Sequence, residues 1–264
     1  MNSLGDKVLS LKKSGKKALS FFLTGCWPSK GGFMDLVRFI DENSLADFIE
    51  VGVPFSDPLA DGPVLQNASR DALEAGISFG SVLEATAELC PLISMPMVLM
   101  TYLNVLVAGG VENNIRRAGE AGFQGIIVPD LPLEESAMVA GPAAVRGMGT
   151  VLLAAPSTPA GRLRAISEKS SPFLYYVSSF GVTGARSGFQ EGLKERLSLA
   201  AELSASPVYC GFGISTPRQA RLAAGFSDGI IIGSALTRKI ASSNAGDFKL
   251  IKKFAINIRK EIVR

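Results

Sequence analysis

Residues 208–234, VYCGFGISTPRQARLAAGFSDGIIIGS, contain one complete structural unit of the chain. Val208–Gly213 is a short run, apolar at its start and glycine-rich at its end, too brief for a helix. Thr216-Pro217 has the form of an N-cap followed by proline at the first helical position, and a helix-like stretch continues to Ala224. A second apolar run, Gly229–Ser234, again ends on a glycine. Strand, helix and strand in so short a span predict two parallel strands joined by a right-handed crossover.

The same alternation extends back through the chain. Apolar runs rich in β-branched or aromatic residues lie at Ala18–Gly25, Asp47–Pro54, Pro96–Tyr102, Gly125–Asp130, Thr150–Pro156 and Phe173–Ser179, which makes eight in all. Between and after them fall helix-like stretches at Gly32–Asn43, Ser78–Cys90, Val111–Ala121, Glu134–Gly147, Thr158–Ser170, Gln190–Ser204 and Ala235–Ile240, then a terminal amphipathic helix. Thr158-Pro159 repeats the capped start seen at Thr216. Eight such units in 264 residues predict a closed (β/α)₈ TIM barrel with an extra N-terminal helix, as one domain over residues 1–264. An open doubly wound sheet is the alternative, but no G-x-G-x-x-G follows the first strand. The longest gap, between the second and third runs, contains the proline-rich segment Phe55–Pro63, a loop long enough to suggest function.

Composition removes several chemistries. Hydrophobic residues are 47% and charged residues 19%, which suits a sheet buried on both faces. With no histidine, a Ser-His-Asp triad, a Cys-His dyad and an H-E-x-x-H zinc site are excluded. Acid/base work then falls to carboxylates, Lys or Tyr, or to the substrate itself. Cys26, Cys90 and Cys210 are odd in number and widely spaced, and so read as reduced core residues of a cytoplasmic protein. The net charge of +3 is too small for a nucleic-acid footprint. The N-terminal MNSLGDKVLSLKKSGKK lacks the apolar core of a signal peptide, and no uninterrupted apolar run is long enough to span a membrane.

Barrel chemistry sits where strands end. Three neighbouring ends are glycine-rich: Gly181-Val182-Thr183-Gly184, Gly211-Phe212-Gly213-Ile214-Ser215 and Gly233-Ser234, the last running straight into a helix. Backbone N–H groups brought close by glycine, with a helix N-terminus beside them, predict a phosphate site. Glu50 lies inside the apolar run Phe48-Ile49-Glu50-Val51-Gly52-Val53, where it is either a paired structural ion, a solvent-facing residue or a desolvated proton carrier. Asp61, before Gly62, and Asp57 read equally as turn residues, and Asp130 as a cap for the helix after the fourth strand.

The segment from Phe48 through Pro54-Phe55-Ser56-Asp57-Pro58-Leu59-Ala60-Asp61-Gly62-Pro63 to Gln66 resembles the signature of the tryptophan synthase alpha chain family. The similarity continues in Met100-Thr101-Tyr102-Leu103-Asn104, Val128-Pro129-Asp130-Leu131-Pro132 with Glu134-Glu135, Gly181–Ala185, Gly211–Ser215 and Gly233–Ala235, in the same order. The resemblance implies a cofactor-free lyase that cleaves indole-3-glycerol phosphate to indole and glyceraldehyde 3-phosphate. It implies Glu50 and Asp61 as catalytic groups, Gly184, Gly213, Gly233 and Ser234 around the phosphate, and Tyr175 and Thr183 orienting the glycerol chain. Phe22, Met100, Ile127 and Phe212 would line the indole pocket. It also implies a β chain carrying pyridoxal phosphate, in an α₂β₂ heterotetramer, facing the loop at Asp57 and Pro58.

Some positions depart from the pattern. The family usually reads Thr-x-Gly-Asp-Pro after the first strand, whereas this chain has Thr24-Gly25-Cys26-Trp27-Pro28, which puts a bulky indole side chain near the expected pocket mouth. A family Gly-x-Asp-Gly becomes Gly122-Phe123-Gln124-Gly125, and Ser179-Phe180 precede Gly181 in the expected lid-like segment 178–189. These changes leave open a subunit that mainly binds and activates its partner.

Overall fold

The computed structural model describes residues 3–177 and 192–263. From the N-terminus, α1 (Leu4–Lys13) precedes β1 (Ala18–Thr24), α2 (Lys30–Glu42) and β2 (Phe48–Gly52). Then come α3 (Pro63–Glu74), α4 (Phe79–Leu89), β3 (Met97–Met100), α5 (Leu103–Ala108), α6 (Val111–Glu120) and β4 (Gly125–Ile127). The second half runs α7 (Ala137–Val145), β5 (Gly149–Val151), β6 (Leu153–Ala154), α8 (Ala160–Lys169), β7 (Leu174–Val177), α9 (Leu193–Leu203), β8 (Val208–Gly211), α10 (Pro217–Gly225), β9 (Gly229–Ile232), α11 (Ser234–Ala241) and α12 (Lys249–Ile262).

The strands form one parallel sheet in the order β5-β4-β3-β2-β1-β9-β8-β7-β6. Its two edges, β5 and β6, are consecutive in the chain and separated only by Leu152, so the sheet closes on itself and the two segments are halves of one fifth barrel strand. The break at Leu152 has a local cause. Its N–H donates to the Ser170 hydroxyl at 2.8 Å, while its carbonyl accepts from Tyr175 N–H at 3.0 Å. A side chain thus takes the place of a strand partner for one residue.

Strand parity divides the apolar residues into two cores. Leu19, Phe21 and Leu23 of β1, like Ile49, Val51, Met97, Leu99, Ile230 and Ile232, face outward and pack with the helices. Phe22, Phe48, Val98, Met100, Ile127, Val151, Tyr175, Tyr209 and Ile231 face inward and fill the barrel. Burial on both sides explains why all seven residues of β1 are buried and why the strands read as continuous apolar runs. At the N-terminal end of the barrel, Phe48, Phe173 and Tyr209 form a cluster with ring centroids 4.4–5.8 Å apart. Leu4, Val8 and Leu11 of α1 belong to the same interior core, so the extra helix closes that end. Its start is fixed by a capping box between Ser3 and Asp6. Buried Asp47 accepts from Leu19 N–H at 2.9 Å and Arg259 Nη1 at 2.8 Å, which joins α12 to the base of β1 and β2.

Three expectations are corrected. The gap between the second and third strands contains α3 as well as α4, and α5 follows β3; neither α3 nor α5 was anticipated. Thr158 does not cap α8, whose N-cap is Pro159; its hydroxyl accepts from Ala155 N–H at 2.9 Å and closes the preceding turn. Thr216 does cap α10, in a capping box with Gln219.

Candidate active site

Glu50 is the third residue of β2 and points into the barrel beside Phe22, its register partner on β1. It is wholly buried, and neither carboxylate oxygen has a hydrogen-bond partner among the described residues. Of the three readings open from sequence, paired ion and solvent-facing residue both fail. Burial without compensation disfavours the charged form and pushes the carboxyl up to about 8, so Glu50 holds a proton at neutral pH.

Asp61 lies in the loop between β2 and α3. Its N–H donates to Pro58 O at 2.9 Å, the turn role foreseen for it, and Gln66 Nε2 donates to its carbonyl at 2.9 Å. Its side chain is also buried, accepting from the Tyr102 hydroxyl at 3.4 Å. Burial pushes the carboxyl up, the tyrosine hydrogen bond pulls it down, and it settles at about 6. Tyr175, on the opposite wall, is raised well above the ordinary phenol range by burial first, then by the charge of Glu50 and, less, of Cys210 and Asp61. The carboxyls of two different segments thus act on one phenol.

Phe22, Met100, Ile127 and Tyr175 share the interior core, with Phe212 packed against it edge-on to Tyr175 at 5.8 Å. Two glycines make room for these rings. A Cβ on Gly52 would lie 2.3 Å from the Phe22 ring, and one on Gly211 would lie 2.2 Å from the Tyr175 hydroxyl. At the C-terminal end of β8, Phe212 and Gly213 both take left-handed φ, +65° and +77°. On the adjacent strand, Gly233 is the N-cap of α11 and Ser234 its first residue, so the first-turn N–H groups of Ser234 and Ala235, which have no partner among the described residues, belong to the helix that follows the strand next to β8. Thr183 and Gly184, together with Ser179 and Phe180, lie outside the described residues.

Asp57 is exposed and accepts from the Ser56 hydroxyl at 2.5 Å; with Pro58 and Leu59 it borders a groove of about 470 Å³ that also includes Phe55, Gln66, Arg70 and Leu73. Asp130 does not cap the helix after β4. Its carboxylate accepts from Leu103 N–H at 2.9 and 3.2 Å, at the start of α5. Trp27 is not at the pocket mouth: it packs in the outer core, and its Nε1 donates to Asp71 of α3 at 3.4 Å. Cys26 beside it takes φ +59° in the position where the family usually has glycine.

Two site residues went unrecognised in the sequence. Tyr102 was visible only as part of Met100–Asn104, and its partner Asp61 is 41 positions away. Leu65 of α3 enters the interior core, and a Cβ on Gly233 would sit 3.6 Å from it. The helical register after Pro63 was the signal for Leu65.

The sequence model for "Tryptophan synthase alpha chain" matches residues 8–263. A tryptophan synthase alpha chain from Picosynechococcus is 37% identical, over 99% of this chain and all of the relative; one from Arabidopsis thaliana is 37% identical over 98% and 95%. Among solved structures, tryptophan synthase subunit alpha from Legionella pneumophila superposes with a TM-score of 0.88 at 31% identity, covering 99% and 98% of the two chains. A Pyrococcus furiosus structure, described as the mutual activation of the tryptophan synthase α₂β₂ complex, superposes with a TM-score of 0.84 at 33% identity, covering 91% and 97%. With two buried carboxyls above an aromatic-lined barrel and similarity that runs nearly end to end, the chain belongs to the tryptophan synthase alpha chain family.

Proposed function

We propose that Glu50 moves the protons, and Asp61 holds the indole nitrogen, in the family's reaction, cleavage of indole-3-glycerol phosphate to indole and glyceraldehyde 3-phosphate. The observation that carries this reading is the unpartnered, wholly buried carboxyl of Glu50, pushed up to about 8. Such a group starts protonated near neutral pH. It gives its proton to the ring carbon that bears the glycerol chain, and positive charge develops at the ring N–H. Asp61, ionised above about pH 6, accepts that N–H. The Glu50 carboxylate then takes the proton of the glycerol hydroxyl next to the breaking bond. The carbon–carbon electrons return to the ring, the aldehyde leaves, and Glu50 is protonated again. No cofactor enters these steps, and pyridoxal phosphate belongs to the β chain.

Phe22, Met100, Ile127 and Phe212 enclose the planar indole, while Tyr175 and Thr183 orient the glycerol chain. The phosphate rests on N–H groups of Gly184, Gly213 and Ser234 beside Gly233, with the Ser234 hydroxyl assisting. The left-handed backbone at Gly213 and the start of α11 support this assignment. The β chain docks on the loop at Asp57 and Pro58, where Leu59 is 80% exposed beside an open groove. No helix among the described residues is long and apolar enough to cross a membrane, and three cysteines, odd in number and widely spaced in the sequence, fit a reducing cytoplasmic compartment.

The test is release of indole from indole-3-glycerol phosphate by the purified chain, alone and with a β chain, followed alongside sedimentation. Slow release alone, strong acceleration on mixing and a stable complex support the reading. A stable complex that activates the β chain without releasing indole would instead make this chain an activator.

A further inference from the structure

One side chain from the segment between β3 and α5 holds the loop that carries Asp61. Tyr102 follows β3 at the head of α5 and is buried. Its hydroxyl accepts a hydrogen bond from Ala60 N–H at 3.0 Å and donates one to Asp61 Oδ2 at 3.4 Å. The amide occupies a lone pair of the phenol oxygen, which leaves its single proton to point at the carboxylate. The ring of Tyr102 stacks on Phe55 at 5.1 Å, and Phe55 borders the same groove as Asp57 and Pro58.

Tyr102 therefore contacts both ends of the 55–61 loop. Its own base is fixed because Leu103 N–H is bound by Asp130. The backbone of Asp61 is already set by Pro58 and Gln66, so what the tyrosine adds is the direction of the carboxylate. Among the described residues, the titratable groups about this region include Glu50 from β2, Tyr175 from β7 and Asp130 after β4, with Asp57 and Arg70 on the groove that Phe55 borders. At Asp61 itself, burial raises the carboxyl and the Tyr102 hydrogen bond opposes it.

We propose that Tyr102 is the positioning residue of Asp61: its hydroxyl aims the carboxylate, and its ring links that aim, through Phe55, to the loop facing the partner. This rests on the role given to Asp61 above. A β chain pressing on residues 55–59 then reaches the carboxylate through two contacts, the Phe55–Tyr102 stack and the Tyr102–Asp61 hydrogen bond.

The experiment uses the full chain labelled with ¹³C at aspartate carboxyls, with Asp61→Asn identifying the Asp61 signal. In Tyr102→Phe, which keeps the ring and its stack, the Asp61 titration midpoint rises by about one pH unit. With the β chain present, kcat for indole release falls about tenfold or more while KM changes less than about threefold. Phe55→Leu leaves the Asp61 midpoint in place and weakens the acceleration produced by the β chain. An unmoved midpoint in Tyr102→Phe, or a loss of kcat that merely follows a lowered thermal midpoint, overturns the proposal. If the parent releases no indole with its partner, the cleavage reading fails by itself, and the Asp61 titration still decides whether Tyr102 holds that carboxylate.

Discussion

Glu50 is a liability to the fold, and its sign with pH follows from where its carboxyl titrates. The unfolded chain releases this proton near the ordinary value of 4.5, whereas the folded chain retains it to about 8. Between those values the folded state binds one proton more, so rising pH destabilises it by up to about 1.4 kcal/mol per pH unit from this group, and the loss levels off above pH 8. Asp61 acts in the same direction between 3.8 and about 6. Glu50→Gln resembles the protonated parent in shape and carries no charge to bury. The variant and parent are therefore expected to denature at nearly the same temperature at pH 5, with the variant ahead by several degrees at pH 8.5. Chemical or thermal denaturation at the two pH values checks this; a difference that does not grow with pH would mean that Glu50 is solvated in the folded chain.

At the scale of the element, the ends of β8 and β9 carry the phosphate assignment. Gly213 sits at φ +77°, where a β-branched side chain is strained, and a Cβ there would also crowd the approach of an anion to its N–H. Gly213→Val is expected to raise KM for indole-3-glycerol phosphate about tenfold or more, the cost of losing a hydrogen bond to a charged group, while binding of indole alone changes little. Equal loss of both ligands in a titration would show that the substitution disturbs the barrel as a whole.

How far the elements were legible depends on how locally they are determined. The eight apolar runs announced the barrel because each strand is buried on both faces. Helix α3, PVLQNASRDALE, is obscured because half of its residues are polar and it begins directly after the proline-rich loop. The break at Leu152 depends on the Ser170 hydroxyl, and the position of Trp27 on Asp71 44 residues away, neither of which a local pattern contains. Glu50 and Asp61 stood out as carboxylates in apolar or tight-turn company, but whether each was paired was decided by strands distant in sequence.

For the whole molecule, the barrel is filled by side chains and closed at one end by α1. Leu4, Val8 and Leu11 are each buried in the interior core. At about 1.5–3 kcal/mol for each buried aliphatic side chain, removing residues 1–13 costs roughly 5 kcal/mol, enough to lower the thermal midpoint by about 10 °C or more. The truncated chain should also bind an apolar dye at the exposed Phe48, Phe173 and Tyr209 layer. A truncation that melts with the parent would mean that α1 rests on the barrel without closing it.

The central claim is that one buried carboxyl performs both proton transfers of the cleavage, and it is tested most directly by the rate of indole release against pH for the parent and Glu50→Gln, each saturated with a β chain. The expected parent profile is bell-shaped, falling below about pH 6 as Asp61 gains a proton and above about pH 8 as Glu50 loses its own. Glu50→Gln should still bind substrate but release indole at least about 10²-fold more slowly. A variant that retains more than about a tenth of the parent rate would contradict the assignment. So would a parent profile with no fall near pH 8.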